Sequence, residues 1–177
     1  MRIINYLNGI SYIENVVEGI DLNSISYEKK ELVLGQNEIY HAEFNIGKND
    51  ENLVLKTFFY KSLFSALSLY FKSNSIVEKV NVWTRNEDHF IQLPGTENPQ
   101  LKERSGNLVE GGYTVLYFLD TVTSGGNVNI PSQNFSINLQ QNCMIVFPSG
   151  QDYKYNINKI GEGTERKFIE IVFDERI

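Results

Sequence analysis

Two histidines, His41 and His89, and one cysteine, Cys143, are the only imidazole and thiol groups in the chain. Transition-metal or nucleophilic chemistry would have to be built from them, or from carboxylates and phenols. A lone cysteine cannot form an internal disulfide and excludes a cysteine-based zinc cluster. It lies in the apolar run "CMIVF", where a buried, inert thiol is expected. His89 has Asp88 beside it, but adjacent strand residues point to opposite faces, so the two cannot chelate one ion without a bulge. Asp152 and Glu97 are further carboxylates that could join His89, although no spacing rule gathers them. Near the C-terminal end, Arg166 and Lys167 begin "RKFIEIVF", and alternation lets only one of these cations face inward.

The elements that must position these groups are mostly strands. From residue 78 onward, strands are expected at "EKVNVWT", "HFIQL", "YTVLYFLD", "GNVNIP", "FSINL", "CMIVFPS", "YKYNI" and "RKFIEIVF". The turn-forming stretches "TSGG", "PSQN", "QQN", "SGQD" and "GEGT" divide them. Asn134-Phe135-Ser136 matches a glycosylation sequon and is read as a turn. Residues 1–75 are mixed. "SYIENVVEGI" places Ile13, Val16, Val17 and Ile20 at helical spacing, and "ELVLG" and "IYHAEFNI" read as strands. Residues 57–73 form the strongest helix, with Phe59, Leu63, Ala66, Leu67 and Tyr70 on one face. The expected fold is a single domain over 1–177, mainly β. It has a jelly-roll core at 78–173, buttressed by two or three helices in a mixed support region at 1–75.

Composition narrows the function. Hydrophobic residues at 41% and charged residues at 21% describe an ordinary globular chain. A net charge of −6 without a basic run argues against nucleic acid as a partner. No apolar block is long enough for a membrane span or a secretion signal, so a cytoplasmic setting is expected. The segment "GNVNIPSQNFSINL" alternates polar residues on one face, consistent with a solvated sheet surface or with an edge open to homo-oligomerisation.

"YTVLYFLDTVTSGGNVNIP", then "INLQQNCMIVFPS" and "GEGTERKFIEIVF", resembles the catalytic core of the prolyl 4-hydroxylase-like Fe(II)/2-oxoglutarate-dependent oxygenases. Thr114, Leu116, Tyr117, Leu119, Asp120, Gly125, Gly126, Phe147, Pro148 and Ser149 carry the match, over roughly 80–173. The resemblance implies a double-stranded β-helix. It also implies an iron held by His-x-Asp and a distant His, a set that leaves positions for 2-oxoglutarate and oxygen. His89 stands at the family-like distance before "YFLD", but Ile91 occupies the expected Asp position and cannot ligate. Tyr153 occupies the distal His position, and a phenol is a poor ligand for iron(II) at neutral pH. Tyr153, Tyr155 and Tyr113 are read as packing or rim residues. Arg166, with Lys167 adjacent, stands where the family grips the far carboxylate of 2-oxoglutarate; the alternative is a solvent-facing charge at a strand start.

The resulting expectation is a degenerate oxygenase scaffold, a pseudoenzyme with no cofactor, that binds a small carboxylate or a protein partner. No catalytic residue is assigned. One alternative is an active hydroxylase using Fe(II) and 2-oxoglutarate through an atypical site. The other is an unrelated β-sandwich with a structural or assembly role.

Overall fold

The computed structural model describes residues 1–25, 27–33, 39–46, 50–73, 83–92, 112–161 and 165–174, with side-chain surroundings for 1–25, 56–72, 112–161 and 165–173. Three strands at its centre, β6 (Gly112–Phe118), β9 (Cys143–Pro148) and β11 (Arg166–Asp174), carry apolar residues on both faces, in "VLYF", "CMIVF" and "FIEIVF". Such strands satisfy the hydrophobic effect only when both of their faces are covered. They lie within an eight-stranded antiparallel sheet, ordered β1-β2-β9-β6-β11-β5-β4-β3. The outer members are β1 (Arg2–Asn5), β2 (Ser11–Glu14), β3 (Tyr27–Val33), β4 (Ile39–Ile46) and β5 (Trp83–Gln92). A second sheet has the order β10-β7-β8, from β7 (Val128–Ile130), β8 (Phe135–Ile137) and β10 (Asn156–Ile157).

Each face of the large sheet has its own core. One is covered by helix α1 (Asp50–Ser73), whose Phe59, Leu63, Ala66, Leu67, Tyr70 and Phe71 pack on Val115, Tyr117, Val146, Ile169 and Ile171. This is the stripe expected from the spacing at 57–73, and each large apolar side chain buried there contributes about 1.5–3 kcal/mol. The opposite face packs Leu116, Phe118, Ile145, Phe147 and Phe168 against Val128, Ile130 and Ile157 of the small sheet. Among the described residues no helix is long and apolar enough to cross a membrane.

One element differs from expectation. The segment "SYIENVVEGI" is not a helix: Ser11–Glu14 is β2, with Ile13 paired to Met144 and Tyr12 to Ile145 of β9. Beyond it, the Val16 N–H donates to the Asn142 carbonyl at 3.2 Å. The Asn142 amide then binds both backbone groups of Val17, at 2.9 and 2.8 Å, standing in for a strand partner. Short apolar runs satisfy helix and strand spacing equally, and here the sheet's need for partners decides. With that segment extended, α1 is the one α-helix among the described residues, rather than one of two or three. The strand expected at "EKVNVWT" lies outside the described residues up to residue 82, while "WT" and "HFIQ" belong to one continuous strand, β5.

Candidate functional site

The turn between β6 and β7 shapes the interior between the two sheets. Gly125 and Gly126 have φ of +71° and +69°, a conformation that favours glycine. A Cβ on Gly125 would lie 2.0 Å from the Lys159 carbonyl oxygen, and one on Gly126 would lie 2.6 Å from Nη1 of Arg166. The double glycine therefore does more than reverse the chain: it leaves room for a guanidinium.

Arg166 is completely buried. Alternation along β11 puts Arg166, Phe168, Glu170 and Val172 on the interior face, and the last three pair with Phe118, Leu116 and Thr114 of β6. The Arg166 guanidinium lies over the Phe118 ring, 4.2 Å from its centroid. Nη1 donates to the Gly126 carbonyl and, at 3.4 Å, to Oδ1 of Asn138, while Nη2 donates to the Leu139 carbonyl. Only its Nε is buried without a hydrogen-bond partner among the described residues. Burial lowers the Arg166 pKa to about 10, partly offset by the charge of Asp120, so the group stays protonated at neutral pH. It is not a solvent-facing charge. Lys167 is half-buried, and its backbone N–H donates to Oδ2 of Asp120 at 2.8 Å. Oδ1 of Asp120 is buried and has no partner among the described residues. Burial pushes Asp120 up to about 6, against the pull of the Lys167 N–H and of the Arg166 and Lys167 charges.

Deeper along the same row, the hydroxyl of fully buried Tyr155 donates to the carboxylate of Glu170, itself 3% exposed. Tyr155 also meets Phe147 edge-to-face at 5.6 Å. Alternation alone sets Glu170 on the Arg166 face without giving it a partner; the local signal for one is Tyr155, two residues beyond Tyr153. Tyr153 itself sits on a 3-10 turn at Gln151–Tyr153 and donates its hydroxyl to the Asn8 carbonyl at 2.7 Å, toward the N-terminal hairpin. Tyr113 packs edge-to-face on Phe71 of α1, at 5.3 Å. Cys143 is buried, and its sulfur accepts from the Tyr12 hydroxyl at 3.1 Å.

The residues suggested as a metal site fall partly outside this picture. The β5–β11 register pairs Ile169 with His89, Lys167 with Ile91, Arg166 with Gln92 and Glu170 with Asp88. Position 89 thus belongs to the row of Ile169, which lies in the α1 core, and is out of phase with the row of Arg166. The side chains of His89, Ile91, Asp88 and His41, and Glu97 altogether, lie outside the described residues. Among the described residues, no three His, Cys, Asp or Glu side chains gather as a metal-binding group.

Against known proteins, the backbone has clear counterparts. The viral collagen prolyl hydroxylase of Paramecium bursaria Chlorella virus-1, solved as a 2OG complex, aligns with a TM-score of 0.56 at 10% identity, over 93% of this chain and 96% of that one. A Trichoplax adhaerens prolyl hydroxylase, in complex with a hypoxia-inducible-factor peptide, aligns at 0.55 and 13% identity, over 96% and 84%. A prolyl-4-hydroxylase of Pseudomonas putida aligns at 0.53 and 13% identity, over 96% and 94%. No family model matches the sequence, and no curated relative matches it. The chain therefore has the fold of these prolyl hydroxylases.

That fold implies iron and 2-oxoglutarate, and the described residues do not fit them. The two terminal nitrogens that would grip a carboxylate are engaged by the Gly126 and Leu139 carbonyls. Tyr153, at the expected distal ligand position, is spent on Asn8. The Phe118 ring covers the face of the guanidinium, its centroid 4.2 Å away.

Proposed function

We propose that this chain is a double-stranded β-helix of the prolyl 4-hydroxylase type whose iron chemistry has been given up, leaving a non-catalytic, cytoplasmic module that binds a protein partner. The observation that carries this reading is the state of Arg166. An Arg that serves a cosubstrate must present its fork to the ligand, because a bidentate carboxylate grip needs two parallel N–H groups. Here the fork is directed at two backbone carbonyls and the flat face at Phe118. Its role is to tie β11 to the turn after β6 and to the chain before β9. For the same reason a protein surface is the better ligand than the small carboxylate that sequence reading also allowed.

The test is direct. Purified protein is supplied with Fe(II) and 2-oxoglutarate, succinate release is measured, and melting is followed with Mn(II) and 2-oxoglutarate added together and singly. The expected result is no succinate and no shared shift in melting temperature. Succinate formation, even uncoupled from any substrate, would establish the alternative of an active hydroxylase with an atypical metal site.

A further inference from the structure

Helix α1 buries one face on the large sheet and turns the other outward. The outward stripe runs Phe58, Lys61, Ser65, Leu69 and Lys72, at steps of three and four residues that return to one side of a helix. All five are exposed. Apart from the first seven residues, Phe58 at 56% and Leu69 at 58% are the large apolar side chains left exposed among the described residues. Beside the stripe lies a groove of about 620 Å³, lined among the described residues by Lys56, Thr57, Tyr60, Lys61, Phe64 and Ser65. Two of these are stacked rings, Tyr60 and Phe64 at 6.3 Å, and Nζ of Lys56 lies 5.9 Å from the Tyr60 centroid. Charge is one-sided here. Lys56, Lys61 and Lys72 are the only charged side chains between Asn52 and Ser73, in a chain of net charge −6. Among the described residues none of the three is held in an ion pair.

We infer, on the reading of this chain as a partner-binding module, that the outward face of α1 is its docking surface and an acidic amphipathic helix of another protein the occupant. Charge selects the partner's sign. Three lysines with no carboxylate between them attract Asp and Glu, and their long stems add apolar contact beneath the ammonium groups. Shape selects a helix. Ser62, Ser65 and Ser68 are small hollows among Phe58, Phe64 and Leu69, the ridge-and-groove relief on which a second helix packs. From Phe58 to Lys72 the stripe is about 21 Å long, roughly four turns. Net charge selects a short segment over a broad anionic surface. At physiological salt fields reach about 8 Å, so an acidic helix meets the lysines alone. A membrane or a nucleic acid would also meet the acidic remainder of the chain. A second copy of α1 is disfavoured for its own reason: a two-fold contact here sets lysines against lysines. A contact of this size makes a weak, short-lived complex.

Fluorescence anisotropy of labelled synthetic peptides, titrated with the full chain, is the measurement. The probe is an amphipathic helix of about four turns, with Leu at i, i+3, i+4 and i+7 spacing and Glu elsewhere. It should bind in the micromolar range and more weakly as salt rises, while the same peptide with Lys for Glu should not bind. Replacing its Leu by Ala should weaken binding by about tenfold or more. Lys61→Glu, at an exposed position, should weaken binding of the acidic probe by about tenfold, with circular dichroism and melting unchanged. Leu69→Asp should do so from the apolar side and serves if the first variant folds poorly. An acidic probe that fails to bind, or that binds both variants as well as the wild type, would overturn the inference. So would tighter binding to vesicles of equal parts phosphatidylserine and phosphatidylcholine than to the peptide, lost in Lys61→Glu. Succinate release bears on the non-catalytic reading alone. No succinate and no peptide binding would remove the docking face and leave that reading standing; succinate with Lys61-dependent binding would do the reverse.

Discussion

The two faces of the large sheet are built from the same strands by opposite means. Toward α1, β11 presents Ile169, Ile171 and Phe173, β6 presents Val115 and Tyr117, and β9 presents Met144 and Val146. This face is held by apolar area. Toward the small sheet the same strands present Arg166, Glu170 and Thr114 among aromatic rings, all buried. A buried charge is tolerated only when its donors are paired, so this face is held by geometry as much as by area. The α1 face should accept volume-conserving changes, whereas the interior face should fail when one partner is removed.

The largest expected effect lies at Arg166. Arg166→Ala removes a stacked side chain and strands the Gly126 and Leu139 carbonyls, so a loss of about 3–5 kcal/mol is expected in urea unfolding. Leu63→Ala on the α1 face should cost a similar ~2–5 kcal/mol, but by cavity formation alone. The two are told apart by conservative variants. Leu63→Met should recover most of the loss, while Arg166→Met should recover little, because no apolar side chain can donate to two carbonyls. If Arg166→Met were as stable as the wild type, the guanidinium would be a passenger and the contrast between the faces would fall. Gly126→Ala should also destabilise, since its Cβ would meet Nη1 of Arg166 at 2.6 Å. It should cost less in an Arg166→Ala background, a coupling that a double-mutant cycle reads directly.

A smaller effect is expected at Asp120, where the interior face meets the strand ends. Its folded pKa of about 6 lies above the ordinary value of 3.8. The folded chain therefore holds this proton more tightly than the unfolded one. The stabilisation is fully present below about pH 4 and is lost as pH rises through 6. Partial exposure discounts the size, which should be on the order of 2 kcal/mol. Asp120→Asn, neutral at every pH and still able to accept from the Lys167 N–H, should flatten this part of the stability–pH curve. A variant whose curve keeps the wild-type slope between pH 4 and pH 6 would show that another group is responsible.

How much of this was legible follows from what each feature depends on. The strands β4, β6, β9 and β11 and the stripe of α1 were readable because burial on a fixed face leaves a period in the sequence. The match around "YFLD", the double glycine and "FPS" pointed to a fold that the structure shares. Alternation also put Arg166 and Glu170 on one face. Alternation could not say that this face is the inner one, because an Arg at a strand start looks alike whether it meets solvent or a carbonyl. Nor could it rank Tyr153 against Tyr155: they have the same parity, and only the 3-10 turn at Gln151–Tyr153 sends the first to the hairpin and the second inward. The phase of His89 relative to Arg166 depends on the pairing of β5 with β11, a long-range register that no local pattern encodes. Ser11–Ile20 misled for the converse reason, since its helical spacing was overruled by a partner 125 residues away, the Asn142 amide on Val17.

The smallest expected effect tests Tyr153, the residue at which the resemblance and the structure part most sharply. In the structure its hydroxyl makes one bond, to the Asn8 carbonyl at 2.7 Å, at the solvent-facing end of the molecule. Tyr153→Phe should therefore cost about 0.5–1.5 kcal/mol, the net worth of a single neutral hydrogen bond. The loss should be confined to the hairpin, visible as faster amide exchange around residues 6–10 with β6 and β11 unchanged. Tyr155→Phe should behave differently. It takes a donor from the buried Glu170 carboxylate, at about 1–3 kcal/mol, and should loosen β10 and β11 instead. If Tyr153→Phe instead disturbed the interior strands, its ring would have to lie between the two sheets. The distal ligand position would then be open again to the chemistry that the fold suggests.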